Sequence, residues 1–591
     1  MRYYTLALLS GLSLLFSMSL FAQPWDSLAL DDLSEFQPPA NNWRIVGTSA
    51  GLPGEDKLSF SNGTGQLVNR ERSGQGADIL TKLEHGDLDL ELEFMLPAGG
   101  NSGIYLQGRY EIQLFDSWGK SRATAGDCGG IYERYDEATA SGYEGYPPMI
   151  NAAKAPGLWQ HLSISFRAPR FDNYGNKTED AIIQLVKLNG IVIHEGIILS
   201  GPTRGGLPGE VAHGPIRIQG DHGPVAIRNL RYRSYFRAPL SWESLSYQAG
   251  SMIGQFDYTF PTEITHSGEV EVINANVVQQ NEKLALRFSG ILDLPASGVY
   301  SFQIDVIWNS NFSIDGTTYL TPQASNGVVD VELSAGRHEI ELTYFKWPPW
   351  YQRKLALYLT GPNLARQPLH DVASLPFGSL GTPYYVDFGR DVVINRSYVQ
   401  FGEEPNLEAI SHAINVGFPT GMAYTYNPLS ASLLQGWRGR FLDATGMWGG
   451  RGDGVAAPRG PITRIDNLPP LYGGGEHEIR PRGYHLDEDG MPTFETEIGG
   501  LKIMDRLSDR SDAKGLTRTI SWEGSLPAGS SWRLATGSRI EKINREMYRV
   551  DDHYFLQVND GLKVEITSQN GQMHLLSEGG DNQELSYEII W

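Results

Sequence analysis

The stretch Asp87-Leu88-Asp89-Leu90-Glu91-Leu92-Glu93-Phe94-Met95-Leu96 decides the fold class. Leucine and phenylalanine alternate with aspartate and glutamate at a period of two. An extended chain therefore carries the apolar set on one face and the acids on the other. This predicts a strand with one buried face. Further short apolar segments follow: IYLQ, YEIQLF, WQHLSISFRA, IIQLVKLNG and GPIRIQG, separated by glycine-rich turns. No convincing helical stretch lies between them. Strands at this frequency predict a β-sandwich for the block from about 25 to 235.

The same chemistry continues downstream. Residues 241–376 contain LALRFSGILDLPASGVYSFQIDV, FSIDGTTYL, VDVELSAGRHEIELTYF and KLALYLTGP. Turn residues such as Ala296-Ser297-Gly298 and Asp315-Gly316 bound these strands and predict a second β-module. Residues 384–591 read as a third turn-rich, β-rich block, with one short helix expected near Asn406–Ile414. A length of 591 residues fits several such domains, at roughly 100–200 residues per domain.

Composition narrows the function. Apolar residues make up 40%, enough for real cores, and the 68 glycines and 33 prolines supply the turns. The net charge of −21 would repel a phosphate backbone, and no basic patch offsets it, so no nucleic-acid partner is expected. Cys128 is the only cysteine. It cannot form an intrachain disulfide, a cysteine zinc site or a c-type haem attachment. Arg2, an apolar run from Leu6 to Phe21 and the small residue Ala22 predict a signal peptide over 1–22. An exported protein, periplasmic or secreted, is expected. No later segment has the length of a spanning helix, so no transmembrane segment is expected.

A specific set of segments recurs in order within the first block. It comprises GGNSGIYLQGRYEIQLFD (Gly99 to Asp116), GGIYERYD, PGLWQHLSISFRAPRFD, KLNGIVIHEG, GPTRGG and GPIRIQGDHGPVAIRNLRYR. Together they resemble the 3-keto-disaccharide hydrolase family, whose members are also described as 3-keto-glucoside lyases and hydratases. The resemblance implies a concanavalin-like jelly roll for the first block; with the two blocks read above, the expected chain is all-β, a concanavalin-like jelly-roll β-sandwich followed by two further β-rich domains. It also implies cleavage of glycosides already oxidised to a ketone at the third sugar carbon. Such a ketone acidifies the hydrogen on the second carbon. A base removes that hydrogen, a donor or cation holds the enolate, and the anomeric oxygen leaves with the help of an acid.

Alternation places the candidate residues. Ile112 and Leu114 share the core face of YEIQLF, which leaves Glu111 and Gln113 on the opposite, concave surface. Tyr105, Arg217 and Gln219 follow the same rule. So do Trp159 and His161, with Leu162, Ile164 and Phe166 as their core set. The expected catalytic residues are Glu111, His222 and Asp116. The expected substrate contacts are Asn101, Tyr105, Gln113, Tyr132, Trp159, His161, Arg217 and Gln219, since rings stack on sugar faces and forked polar groups bind hydroxyls. Each has a structural alternative. Glu111 would equally pair with Arg109 or Arg217, His222 would brace its turn, and Asp116 would cap a strand end. Asn101 would serve turn geometry, Tyr132 would pack, and His161 would be a surface histidine. No HExxH spacing appears. The metal is unassigned, with a divalent ion left open, and no haem or nucleotide is expected.

The second block resembles a protective-antigen-type β-sandwich, through Pro295 to Phe302, Ser313 to Gly316 and Leu333 to His338. The adjacent aspartate pair that binds calcium in sugar-binding members is missing from Asp305 to Asn311. Phe345 to Tyr351 is an aromatic cluster readable as a sugar platform or as packing. In the third block, HAINVGFPTGMAYTYNP and QGWRGRFLDATGMW resemble a region of large secreted multidomain proteins. Trp437, Arg438 and Arg440 are readable there as a ligand surface or as internal pairing. His485 to Gly490 reads as a hairpin turn, and Arg451-Gly452-Asp453 as a chance tripeptide. The expected partner is a 3-keto-glycoside, and no oligomeric state is assigned. The rival reading is a non-catalytic carbohydrate-binding or surface scaffold protein, because fold does not fix function.

Overall fold

A computed structural model describes residues 25–591 apart from 40, 72, 236–239, 281, 323–325, 376–382, 403–408, 450–453 and 580–582. The expected signal peptide, the Arg451-Gly452-Asp453 tripeptide and the start of the expected Asn406–Ile414 helix lie outside the described residues. The described part of that last segment belongs to a strand, Ile410–Gly417, paired on both sides. Strand bonds to neighbours on both sides and the continuous burial from Ala413 to Gly417 override its short helical pattern. Among the described residues, no helix is long and apolar enough to cross a membrane.

The fold is all-β, and its strands are antiparallel. In the first block the deciding stretch forms Asp87–Met95. Leu88, Leu90, Leu92 and Phe94 are buried in the main core, as the alternation requires. On the other face Glu93 pairs with Arg228 at 2.6 Å, and Glu91 accepts from Arg231 Nε at 2.7 Å. This strand sits inside a large sheet between Gln160–Arg167 and Val225–Tyr235. A second sheet runs in the order Ile79–His85, Gly214–Ile218, Asn101–Leu106, Tyr110–Phe115. Ile104, Leu106, Ile112, Leu114, Ile216 and Ile218 turn from it into the same core. Two sheets facing one apolar layer make the sandwich.

The chain divides into two compact units. One is formed by Tyr235–Gly378. It is a sandwich of a six-stranded and a four-stranded sheet, with Phe302 and Phe312 packed at 5.2 Å between ring centroids. Asp315 and Gly316 take φ of 50° and 76°, the left-handed pair a tight hairpin needs. Asp305 pairs with Lys354 at 2.5 Å. Trp350 is 78% exposed, while Tyr351 packs against Trp308 at 5.7 Å between centroids.

The other unit joins Asp26–Ser234 to Ser379–Trp591. Its second segment adds its own core, in which Tyr426 stacks on Phe494 at 3.9 Å. Arg518 and Asp505 form a buried pair there at 2.6 Å. Asp487 accepts from the amides of Asp489 and Met491 and closes the hairpin between Ile479–Leu486 and Pro492–Ile498. Trp437 is fully buried and donates to backbone carbonyls, so it offers no ligand surface. Arg438 donates to the carbonyl of Gly119.

Candidate active site

The four-stranded sheet has a second face, away from the core. Register sets its rows. Arg217, Tyr105 and Glu111 are direct cross-strand neighbours. In the next row Gly103 faces Gln113, and the Gln219 amide bonds the Gly103 carbonyl at 2.9 Å. Asn101 opens the same strand. Alternation therefore puts Asn101, Tyr105, Glu111, Gln113, Arg217 and Gln219 on one surface, as expected.

That surface is covered. Glu111 is 1% exposed and Tyr105 2%. One covering segment runs along the Glu111 strand: Gly129 N donates to Gln113 O and Gln113 N to Gly130 O, both at 2.8 Å, and Tyr132 N to Glu111 O at 3.1 Å. Ile131 enters the core and bridges Ile112, so Tyr132 is directed to the Glu111 face. A second covering loop brings Thr203 Oγ1 to accept from Glu111 N at 3.1 Å, and Gly205 O to accept from Arg217 Nη2 at 2.6 Å.

Glu111 carries the shifted carboxyl of this surface. Burial pushes its carboxyl up to about 8, and the charges of Asp78 and Asp221 act in the same sense. The Tyr105 hydroxyl and the Arg217 guanidinium pull the other way. Oε1 of Glu111 has no hydrogen-bond partner, nor do Asn101 Oδ1, Gln113 Oε1 or Gln219 Oε1, all buried. Buried polar atoms are normally satisfied, so four unpartnered acceptors on one surface call for partners from outside the described residues. Arg217 lies over the Tyr105 ring at 3.9 Å and pairs with Asp78 at 3.4 Å. Burial, and the charge of Glu111, hold the Tyr105 hydroxyl protonated far beyond its ordinary range, as a neutral donor.

Other expected residues fall differently. His222 is 44% exposed and hydrogen-bonds Asp221 at 2.5 Å, which places it on the turn whose aspartate acts on Glu111. Asp116 accepts from Gly99 N at 2.8 Å and Trp118 N at 3.2 Å, and so ties two turns together. Trp159 and His161 are not on the Glu111 surface. They belong to the large sheet, whose outer face points away from the four-stranded one. Trp159 is 4% exposed in a separate cluster with Val46, Val68 and Met95, under Arg228 at 4.1 Å. His161 lies 3.8 Å from Glu91. Period-two alternation names a face but not the sheet that carries it. Cys128 is buried, which pushes its thiol up to about 12 and leaves it inert.

Sequence reasoning passed over Asp78, Thr203 and Gly103. The first two act through loops that only folding brings to the sheet. GPTRGG held the signal for Thr203 and Gly205. Gly103 is required because a Cβ there would lie 2.2 Å from Glu111 Oε1. Among the described residues, no three His, Cys, Asp or Glu side chains gather as a metal cluster.

One family model matches the first block. Residues 33–233 match the 3-keto-alpha-glucoside-1,2-lyase-like domain. The matched range includes the Glu111 surface. Two solved proteins of Parabacteroides distasonis, each described as a "putative glycosyl hydrolase", are similar to this chain. The first is 25% identical, covering 35% of this chain and 84% of the other, at a TM-score of 0.27. The second is 21% identical, covering 36% and 99%, at a TM-score of 0.24. At such scores the sandwich rests on the strand pairing described above. No curated protein matches the chain.

Proposed function

We propose that the protein cleaves 3-keto-glycosides by elimination, with Glu111 as the base. The carrying observation is a buried carboxyl, raised to about 8, with a free oxygen on the surface that matches the family. Ionised Glu111 takes the proton from the second sugar carbon. The electron pair passes to the ketone oxygen as an enolate, which the protonated Tyr105 hydroxyl and the Arg217 charge stabilise. Return of the pair forms a double bond between the first and second carbons and expels the glycosidic oxygen. That oxygen takes a proton from the site, and the products are an unsaturated 3-keto sugar and the free alcohol. Water adding across the double bond, hydroxyl to the first carbon and proton to the second, completes net hydrolysis. Gln113, Gln219 and Asn101 bind hydroxyls. His222 and Asp116 serve at the edge of the site, His222 as proton carrier and Asp116 through the turn it holds. The apolar run from Leu6 to Phe21 supports export to the periplasm or medium.

The test is turnover of a panel of 3-keto-disaccharides by the full chain, beside the unoxidised sugars and with a chelator arm. Cleavage restricted to the oxidised sugars is expected. A folded protein that binds the panel without cleaving it, with or without divalent ions, would leave a carbohydrate-binding protein instead.

A further inference from the structure

The segment covering Glu111 is held from its far side by the C-terminal residues of the same compact unit. Trp118 Nε1 donates to Trp591 O at 2.6 Å, and Lys514 lies over the Trp118 ring at 4.4 Å. Arg438 donates to Gly119 O. The Lys514 side chain lies against this turn, with its Cε 2.6 Å from where a Cβ on Gly119 would stand. Ala155 and Leu158, at the other end of the cover, share a buried cluster with Phe555 and Ile590, against which Trp118 packs.

A continuous path leads from this seat to Glu111. Ser117, beside Trp118, holds Asn151 Oδ1 at 3.0 Å and accepts from Cys128 N at 3.3 Å. Lys120 pairs with Asp127 at 2.5 Å. The next residues, Gly129, Gly130 and Tyr132, are those bonded to the backbone of Gln113 and Glu111. Nothing in the catalytic reading requires a C-terminal block, yet several of its contacts fall on one of the two segments that cover the Glu111 carboxyl.

We infer that residues 379–591 are an intramolecular brace for the Glu111 site, and that Trp118 is the positioning residue through which the brace acts. The activity part of this inference rests on the reading of Glu111 given above, while the mechanical part does not. Without the seat, the cover loosens and water reaches Glu111, which lowers its effective pKa and misplaces the carboxylate.

Hydrogen exchange on the full chain separates the two. Trp118→Ala is expected to speed exchange of the Gly129, Gln113 and Tyr132 amides by about tenfold or more, through local opening. The strands Gln160–Arg167 and Ala181–Leu188 should stay protected. Trp118→Phe keeps an aromatic ring but loses the Nε1 donor and the indole's second ring, so it should fall between, and it carries the test if the alanine variant does not fold. With a 3-keto-disaccharide, the turnover rate should drop and the acid limb of its pH profile move below that of the wild type. Unchanged exchange at the three amides in both folded variants overturns the brace. Faster exchange in a protein without 3-keto activity, wild type included, upholds the brace and overturns the reading of Glu111.

Discussion

Gly103 and Glu111 stand diagonally on paired strands, so close that a methyl on the glycine would meet the carboxylate Oε1 at 2.2 Å. Gly103 has no turn to make, because it sits inside Asn101–Leu106. Its role is to leave room. Gly103→Ala should fold, since the clash falls on the movable end of a side chain, at a cost of about 1–3 kcal/mol. Turnover should fall by about a hundredfold through misplacement of the carboxylate. Thermal melting and kcat measured together check this; a near wild-type kcat would remove the close approach from the mechanism.

Glu111 also sets a pH dependence. Its carboxyl is raised in the folded chain from an ordinary 4.5 to about 8, with burial as the first cause. The folded state therefore holds a proton that the unfolded state releases, so stability declines as pH rises between those values and levels off above. Catalysis by the ionised form rises through the same upper value. Glu111→Gln should flatten the stability slope, melt higher than wild type near pH 8, and lose about two to four orders of magnitude in kcat. Melting curves across pH 5–9 with parallel rates provide the measurement. An unaltered slope would place the proton elsewhere.

Trp159 separates core from site. Trp159→Ala should cost about 3–5 kcal/mol as a buried aromatic truncation. In the cold, where the variant remains folded, KM for the 3-keto substrate should equal that of wild type. Urea unfolding and steady-state kinetics decide between this and a sugar platform, which would raise KM.

Asp505 and Arg518 form a pair in the C-terminal core, with Tyr426 and Tyr587 bonded to it. Asp505→Ala strands a buried guanidinium and should destabilise the chain by about 3–5 kcal/mol. Replacing both partners with leucine and methionine should restore much of that. A double variant as weak as the single one would show that the tyrosines, not the unpaired charge, carry the loss.

The strands were legible because alternation is local. Leu88 to Phe94 announce a buried face whatever they pack against, and Tyr110 to Phe115 likewise separate Ile112 and Leu114 from Glu111 and Gln113. The family resemblance over the first block was legible for the same reason: its segments lie in order along the chain. Which sheet a strand joins was not. Trp159 obeys the same period as Glu111 yet lies on the other layer, because the strand it leads into pairs with Asp87–Met95, more than sixty residues back, while the Glu111 strand pairs with its neighbour Asn101–Leu106. Nor could the sequence show that Ser379–Trp591 folds against Asp26–Ser234 as one unit. The raised carboxyl of Glu111 depends on the segments around Gly129–Tyr132 and Thr203–Gly205 that cover it. A glutamate in an alternating strand is an ordinary solvated acid until other parts of the chain remove the water around it, and desolvation belongs to tertiary structure alone.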